Sequence, residues 1–141
     1  MTDSRVRDQT STNHTLDNNK ATFPLGRKLY ADFSHDNDMT GILSAVGLYN
    51  HTARFPNTTI VEAEHAGGYS AAWTVPFAAR VYFEKMQCSG EQGEFVRVIV
   101  NDRVVPLAQC KGDHLGRCSL DSFINSLGFA RKGGDWERCF D

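Results

Sequence analysis

The sequence lacks several things whose absence narrows its class. Charge of neither sign dominates: 15 Lys and Arg face 17 Asp and Glu, for a formal net charge of −2. With no basic patch there is no footprint for nucleic acid, and no run of like charge offers itself to a membrane surface. Apolar stretches fall far short of the roughly 20 residues a bilayer-spanning helix needs. The opening residues Met1–Asp8 contain no apolar h-region and cannot serve as a signal peptide. Neither a Cys-x-x-Cys pair nor a His pair has ligand spacing, which leaves a zinc site with little support. There is no internal repeat.

What is present is ordinary globular material. Hydrophobic residues make up 40% and charged residues 23% of the 141, enough for one domain with a modest core. Residues 1–22 are dominated by Ser, Thr, Asn and Asp and read as an exposed loop or tail, which leaves 23–141 as the domain. Leu29 to Phe33 reads as a short strand, and Met39 to Leu48 as a helix. Residues 50–69 are loop-like, with a short strand over Thr58–Glu62. Phe77 to Met86 alternates as a strand entered at Pro76. The runs Phe95–Val100 and Arg103–Leu107 flank Asn101-Asp102, two turn formers between β-branched segments, and predict a β-hairpin. Ser119 is a good helix cap, and Leu120, Phe123, Ile124 and Leu127 form one apolar stripe behind it. Gly133-Gly134 ends that helical segment and leaves a terminal docking piece containing Trp136. The elements together predict an α/β fold with a late β-hairpin and a C-terminal helix.

Asn13-His14-Thr15, Asn50-His51-Thr52 and Asn57-Thr58-Thr59 are glycosylation sequons, at Asn13, Asn50 and Asn57, and they favour a secreted protein. Set against the missing signal peptide, the simplest expectation is a chain that lacks its true beginning. The cysteines agree. Cys110 and Cys118 flank a loop that two glycines make tight, and a disulfide closing it is worth roughly 2–3 kcal/mol on the chain-entropy model. Cys88 and Cys139 either bond to each other or pair with cysteines elsewhere.

The most informative stretch is Lys28 to Asn37. It reads as a strand ending in His35-Asp36, followed at once by a helix. Open α/β sheets place ligands at such a corner, and a helix amino terminus favours an anion such as phosphate. His35 supplies a charge-assisted donor to that anion and Asp36 a titratable proton. The same pair also fits an ordinary helix cap beside an exposed imidazole. His14, His51, His65 and His114 lie in polar loops and read as bystanders. Arg80, Arg97 and Arg103 read as surface ion-pair partners, and Trp73 and Trp136 as core or docking residues.

In order along nearly the whole chain, the segments Asn13–Asp17, Ala21–Leu25, Leu29–Asn37, Gly47–Asn50 and Ala72–Phe77 resemble the carboxyl-terminal part of fungal phytases, a branch of the histidine acid phosphatases. Met86–Cys88, Val100–Leu107, Leu115–Cys118 and Gly133–Trp136 continue the resemblance. It implies the C-terminal portion of a histidine acid phosphatase α/β domain of phosphoglycerate-mutase-like fold. It also implies hydrolysis of phosphomonoesters, notably myo-inositol hexakisphosphate (phytate), through a phosphohistidine, with no cofactor and no metal. Asp36 then protonates the leaving alcohol while His35 helps to bind the phosphoryl group. The family's nucleophilic Arg-His-Gly-x-Arg-x-Pro segment does not occur in this sequence. The expected partner is therefore a missing N-terminal portion of the same domain, and the chain alone is expected to be inactive. Two further readings stand beside this one: a phosphate-binding pseudoenzyme module, and a disulfide-stapled structural domain.

Overall fold

Val96, Val98 and Val100 alternate with Phe95, Arg97 and Ile99, and that alternation sets the centre of the fold. The computed structural model describes residues 13–132 and Phe140. Gly133, Gly134, Trp136 and Cys139, with residues 1–12 of the polar tail, lie outside the described residues. The chain divides into two units, one of residues 34–127 and one of residues 1–33 with 128–141.

The first of these is built on an antiparallel sheet. Strand β1 is Val81–Met86, β2 is Phe95–Val100, β3 is Arg103–Val105 and β4 is Arg117–Ser119. Strand β2 is central. β1 pairs along its full length, from Val81 opposite Val100 to Met86 opposite Phe95. The other edge is shared, β3 taking Val98–Val100 and β4 taking Phe95–Arg97. Each valine of β2 is buried, and Val98 is fully so. The β2–β3 connection is the expected two-residue turn. Asn101 and Asp102 both hold positive φ, 48° and 65°, the mirror-image turn geometry that matches strand twist.

Helices pack around this sheet within the same unit. Helix α1 spans Asp36–Ala45, α2 spans Ala71–Thr74 and α3 spans Leu120–Ser126. Ser119 caps α3, its hydroxyl accepting from the Ser122 N–H at 3.2 Å. Leu43 and Leu48 join Val98, Val100, Val105, Leu107 and the Cys110–Cys118 disulfide in one buried cluster. Helix α2 is joined to the hairpin by one side chain. Asn101 Nδ2 donates to the carbonyls of Trp73 and Thr74 at 2.7 and 3.0 Å, and its Oδ1 accepts from the Arg80 N–H at 2.9 Å.

In the other unit, residues 13–33 form turns. Tyr30 Oη donates to the Pro24 carbonyl at 2.9 Å, and its ring stacks on Phe23 with centroids 5.6 Å apart. A short helix α4, Gly128–Arg131, follows Leu127 in sequence.

The architecture is mixed α/β, with an antiparallel sheet and helices after it. Individual elements depart from the sequence reading. Leu29 to Phe33 forms no strand, because a strand exists only through a ladder and none of the described strands pairs with it. Thr58–Glu62 fails for the same reason. The strand expected from Phe77 starts at Val81, since Pro76 to Ala79 closes a turn with Ala78 at φ 61°. Helix α1 begins at Asp36, three residues before its expected start, because acidic residues in a first turn are favoured by the helix dipole. None of the described helices is long and apolar enough to cross a membrane.

Candidate active site

Helix α1 is held at one end. Its carboxyl end closes in a left-handed turn: the Leu48 N–H bonds the Leu43 carbonyl and the Gly47 N–H bonds that of Ser44, both at 2.9 Å, with Gly47 at φ 85°. This paired closure satisfies two orphan carbonyls and brings Leu48 against Leu43. Burying those two leucines contributes roughly 1.5–3 kcal/mol each. The amino end is different. His35, Asp36, Asn37 and Asp38 are all exposed, so the helix presents its positive pole to solvent on a stem fixed to the sheet.

His35 is the N-cap residue, with extended backbone at φ −109° and ψ 166°, and its imidazole makes no capping bond. Its carbonyl accepts the first helical bond, from Met39 N–H at 2.9 Å. Asp36 Oδ1 accepts from the Asn37 N–H at 2.9 Å, and its carbonyl accepts from Thr40 Oγ1 at 2.9 Å. One contact spans the corner: Ser34 Oγ donates to Asp38 Oδ2 at 2.9 Å, tying the residue before the cap to the first turn. The corner thus offers an imidazole and a carboxyl group beside N–H groups of which the first four lack helical acceptors. Such a set can hold an oxyanion and give a proton to something attached to it.

The other sequence-singled residues fall elsewhere. His51, His65 and His114 are exposed, while His14 is half-buried and bonded to Asp17 at 2.7 Å. Arg80 pairs with Asp102 at 3.1 Å and Arg97 with Glu84 at 2.6 Å, as surface partners. Trp73 is half-exposed on α2. Asn13, Asn50 and Asn57 are all exposed. Cys88 is in no disulfide among the described residues, and its sulfur accepts from Arg117 Nη1 at 3.1 Å.

Arg117 is the residue that sequence reasoning missed. Its guanidinium bonds Asp113 through Nε and Nη2 at 2.9 and 2.7 Å, bonds Glu91 at 3.1 Å, and lies 4.7 Å over the Phe95 ring. The Arg117 side-chain bond, then its backbone N–H, holds the Asp113 carboxyl below the usual carboxylate range, and Asp113 in turn raises Arg117. The network is far along the chain from His35 and knits β4 to its loop. A signal was available, since Asp113 and Arg117 stand four apart inside a loop closed by two cysteines. Among the described residues no group of three His, Cys, Asp or Glu side chains is arranged to hold a metal ion.

Comparison with known proteins places the chain in a family. Residues 2–101 match the model of the histidine phosphatase superfamily, branch 2. The chain is 59% identical over 139 residues to phytase A of Aspergillus awamori and 57% identical over 140 to phytase A of Emericella nidulans. It is 55% identical over 140 residues to phytase A of Penicillium oxalicum. Each match covers 99% of this chain and 30% of the relative, so the chain spans about a third of their length. The family match runs through His35 and Asp36 and stops in the turn between β2 and β3. On this match, together with the relatives, the chain belongs to branch 2 of the histidine phosphatase superfamily.

Proposed function

We propose that this chain supplies the proton-donating half of a phytase-type acid phosphatase site, acting on phosphomonoesters such as myo-inositol hexakisphosphate. Supporting this reading is the position of His35 and Asp36 at the exposed amino end of α1, within a sequence that follows the fungal phytases over 99% of its length. The nucleophile is a histidine of an Arg-His-Gly-x-Arg-x-Pro segment, absent from these 141 residues. Its ring nitrogen forms a bond to phosphorus as the ester P–O bond breaks. Asp36 gives its proton to the departing alkoxide, and His35 donates to the phosphoryl oxygens. Water then attacks the phosphohistidine, Asp36 takes the proton back, and inorganic phosphate leaves.

The chemistry needs such a donor. An alkoxide is a poor leaving group, and a placed proton donor contributes about 10²–10⁴ in rate. The donor must enter the reaction as the acid, and a phosphate dianion bound beside a carboxyl group favours that form. The chemistry suits an acidic extracellular medium, in keeping with the three sequons.

The chain alone, given phytate near pH ~5, where an ordinary Asp still holds some of its proton, should release no phosphate. Joined behind the portion of the Aspergillus awamori phytase that precedes the match, it should turn over. In that fusion Asp36→Asn should cut kcat by about 10²–10⁴ with KM nearly unchanged. An unchanged kcat removes Asp36 from the chemistry. A second reading, a phosphate-binding module without turnover, draws on the exposed amino end of α1 alone. Titration calorimetry of the chain alone with inositol hexakisphosphate distinguishes it, since that reading requires saturable heat lost in His35→Ala.

A further inference from the structure

Asp38 stands in the first turn of α1 and has no part in the phosphoryl chemistry. An acidic residue at this third helical position commonly turns back to the N–H of the cap residue. Here Asp38 Oδ2 instead accepts from Ser34 Oγ at 2.9 Å, one residue beyond the cap. That tie draws the carboxylate back over the amino end of the helix, the side from which an anion meets the free N–H groups. Ser34, His35, Asp36 and Asp38 are all exposed there. The helix Asp36–Ala45 holds two acidic residues and no Lys or Arg, and Asp38 is in no ion pair among the described residues. Its charge is therefore not offset by a neighbour.

A carboxylate in that place opposes a bound anion, and the opposition grows with the charge the anion carries. The phosphoryl group under attack is common to every substrate, so its share cancels when two substrates are compared. What remains are the phosphates that only a crowded ester carries. We infer that Asp38, held by Ser34, is a specificity residue of this corner, a role that rests on His35 and Asp36 binding and cleaving a phosphomonoester as proposed above. It tilts the site away from phosphate-dense esters and toward singly phosphorylated ones. Asp38 touches no reacting atom and acts only through its charge. Because the group is exposed, solvent and salt limit its reach.

The fusion behind the preceding portion of the Aspergillus awamori phytase provides the test. It compares kcat/KM for myo-inositol hexakisphosphate with that for a myo-inositol monophosphate, at pH ~6, above the reference carboxylate range. Asp38→Asn keeps the shape and can still accept from Ser34 Oγ, but loses the charge. It should raise the hexakisphosphate-to-monophosphate ratio about threefold in ~0.05 M salt, and the gain should fade in ~0.5 M salt. The change should appear in KM rather than kcat. Ser34→Ala, which frees the carboxylate to swing into solvent, should move the ratio the same way by a smaller factor. A ratio unmoved by either variant, or moved equally at both salt levels, would overturn the assignment. Calorimetric titration of the Asp36→Asn fusion with hexakisphosphate, with and without Asp38→Asn, reads the same charge effect and needs no turnover. Equal affinities there would also overturn it. Failure of the proposed donor shows separately, as full turnover in Asp36→Asn, and leaves the ratio readable.

Discussion

Leu29 to Phe33 and Phe95 to Val100 look alike as sequences and behave differently in the fold. Both carry an apolar residue at every second position, Leu29, Ala31 and Phe33 in one and Val96, Val98 and Val100 in the other, and both border a turn. The second became β2, paired on both edges, with Val98 fully buried. The first pairs with none of the described strands, and Leu29 and Phe33 are 79% and 99% exposed. Side-chain pattern states what a strand would bury, whereas the ladder needs a neighbour within reach. β2 has three neighbours, β3 across a two-residue turn and β1 and β4 across longer loops. The segment that leads into His35 has none of these, so the corner stands on α1 alone.

The largest expected effect on the sheet side comes from its staple. Cys110 and Cys118 are bonded, and both sulfurs lie in the core cluster. Changing both to Ser should lower unfolding stability by about 2–3 kcal/mol, read as a lower urea midpoint, since the denatured chain regains the loop's freedom. The buried hydroxyls add to that loss. A midpoint unmoved by the double change would mean that β2, β3 and β4 hold without the staple, and the contrast with the unpaired segment would then rest on the ladder alone.

Next comes the joint between hairpin and α2. Asn101→Ala removes three side-chain bonds and places a Cβ-bearing residue without a polar side chain at φ 48°. The expected loss is about 2 kcal/mol, with roughly half of it kept by Asn101→Gly, which tolerates the turn but not the bonds. Equal losses in both variants would assign the whole effect to the joint and none to the turn.

The hairpin was legible because its information is local. Asn101-Asp102 between β-branched runs specifies the turn, and the turn fixes the register of Val100 against Arg103. The cap at Ser119 was legible for the same reason. β4 was not, since Arg117–Ser119 is three residues long and is a strand only because Phe95–Arg97 leaves an edge open beside it. The His35-Asp36 corner was legible in its residue types as the amino end of a helix beside an exposed imidazole, but the anchoring of that helix was not. It follows from where Leu43 and Leu48 join the core, which depends on the non-local packing of β2.

Acid should weaken the β4 loop. The folded pKa of Asp113 lies below its ordinary value because Arg117 favours the ionised form. The native state therefore binds this proton less readily than the unfolded chain. Its contribution is complete above the ordinary carboxylate range and falls away as pH drops through the depressed folded value. Denaturation midpoints measured from about pH 6 down to about pH 2 should decline more steeply in the parent than in Asp113→Asn. Parallel curves would show that the network carries no acid-sensitive stability. The effect is modest because Arg117 keeps Glu91 as a second partner.

The smallest effect is the sharpest test of the contrast. Phe33→Ser removes a large apolar side chain from a position that is almost fully exposed and in no described strand. In a paired strand such a change would cost about 3–5 kcal/mol, as truncation of a buried aromatic does. Here the urea midpoint should correspond to a change within about 0.5 kcal/mol. The same substitution in the fusion that carries the preceding part of a phytase gives the complementary measurement. If Phe33 acquires a neighbour there, the loss should rise toward the buried value. A large loss in the chain alone would instead mean that Leu29 to Phe33 is already paired, and the distinction between the two strand-like runs would disappear.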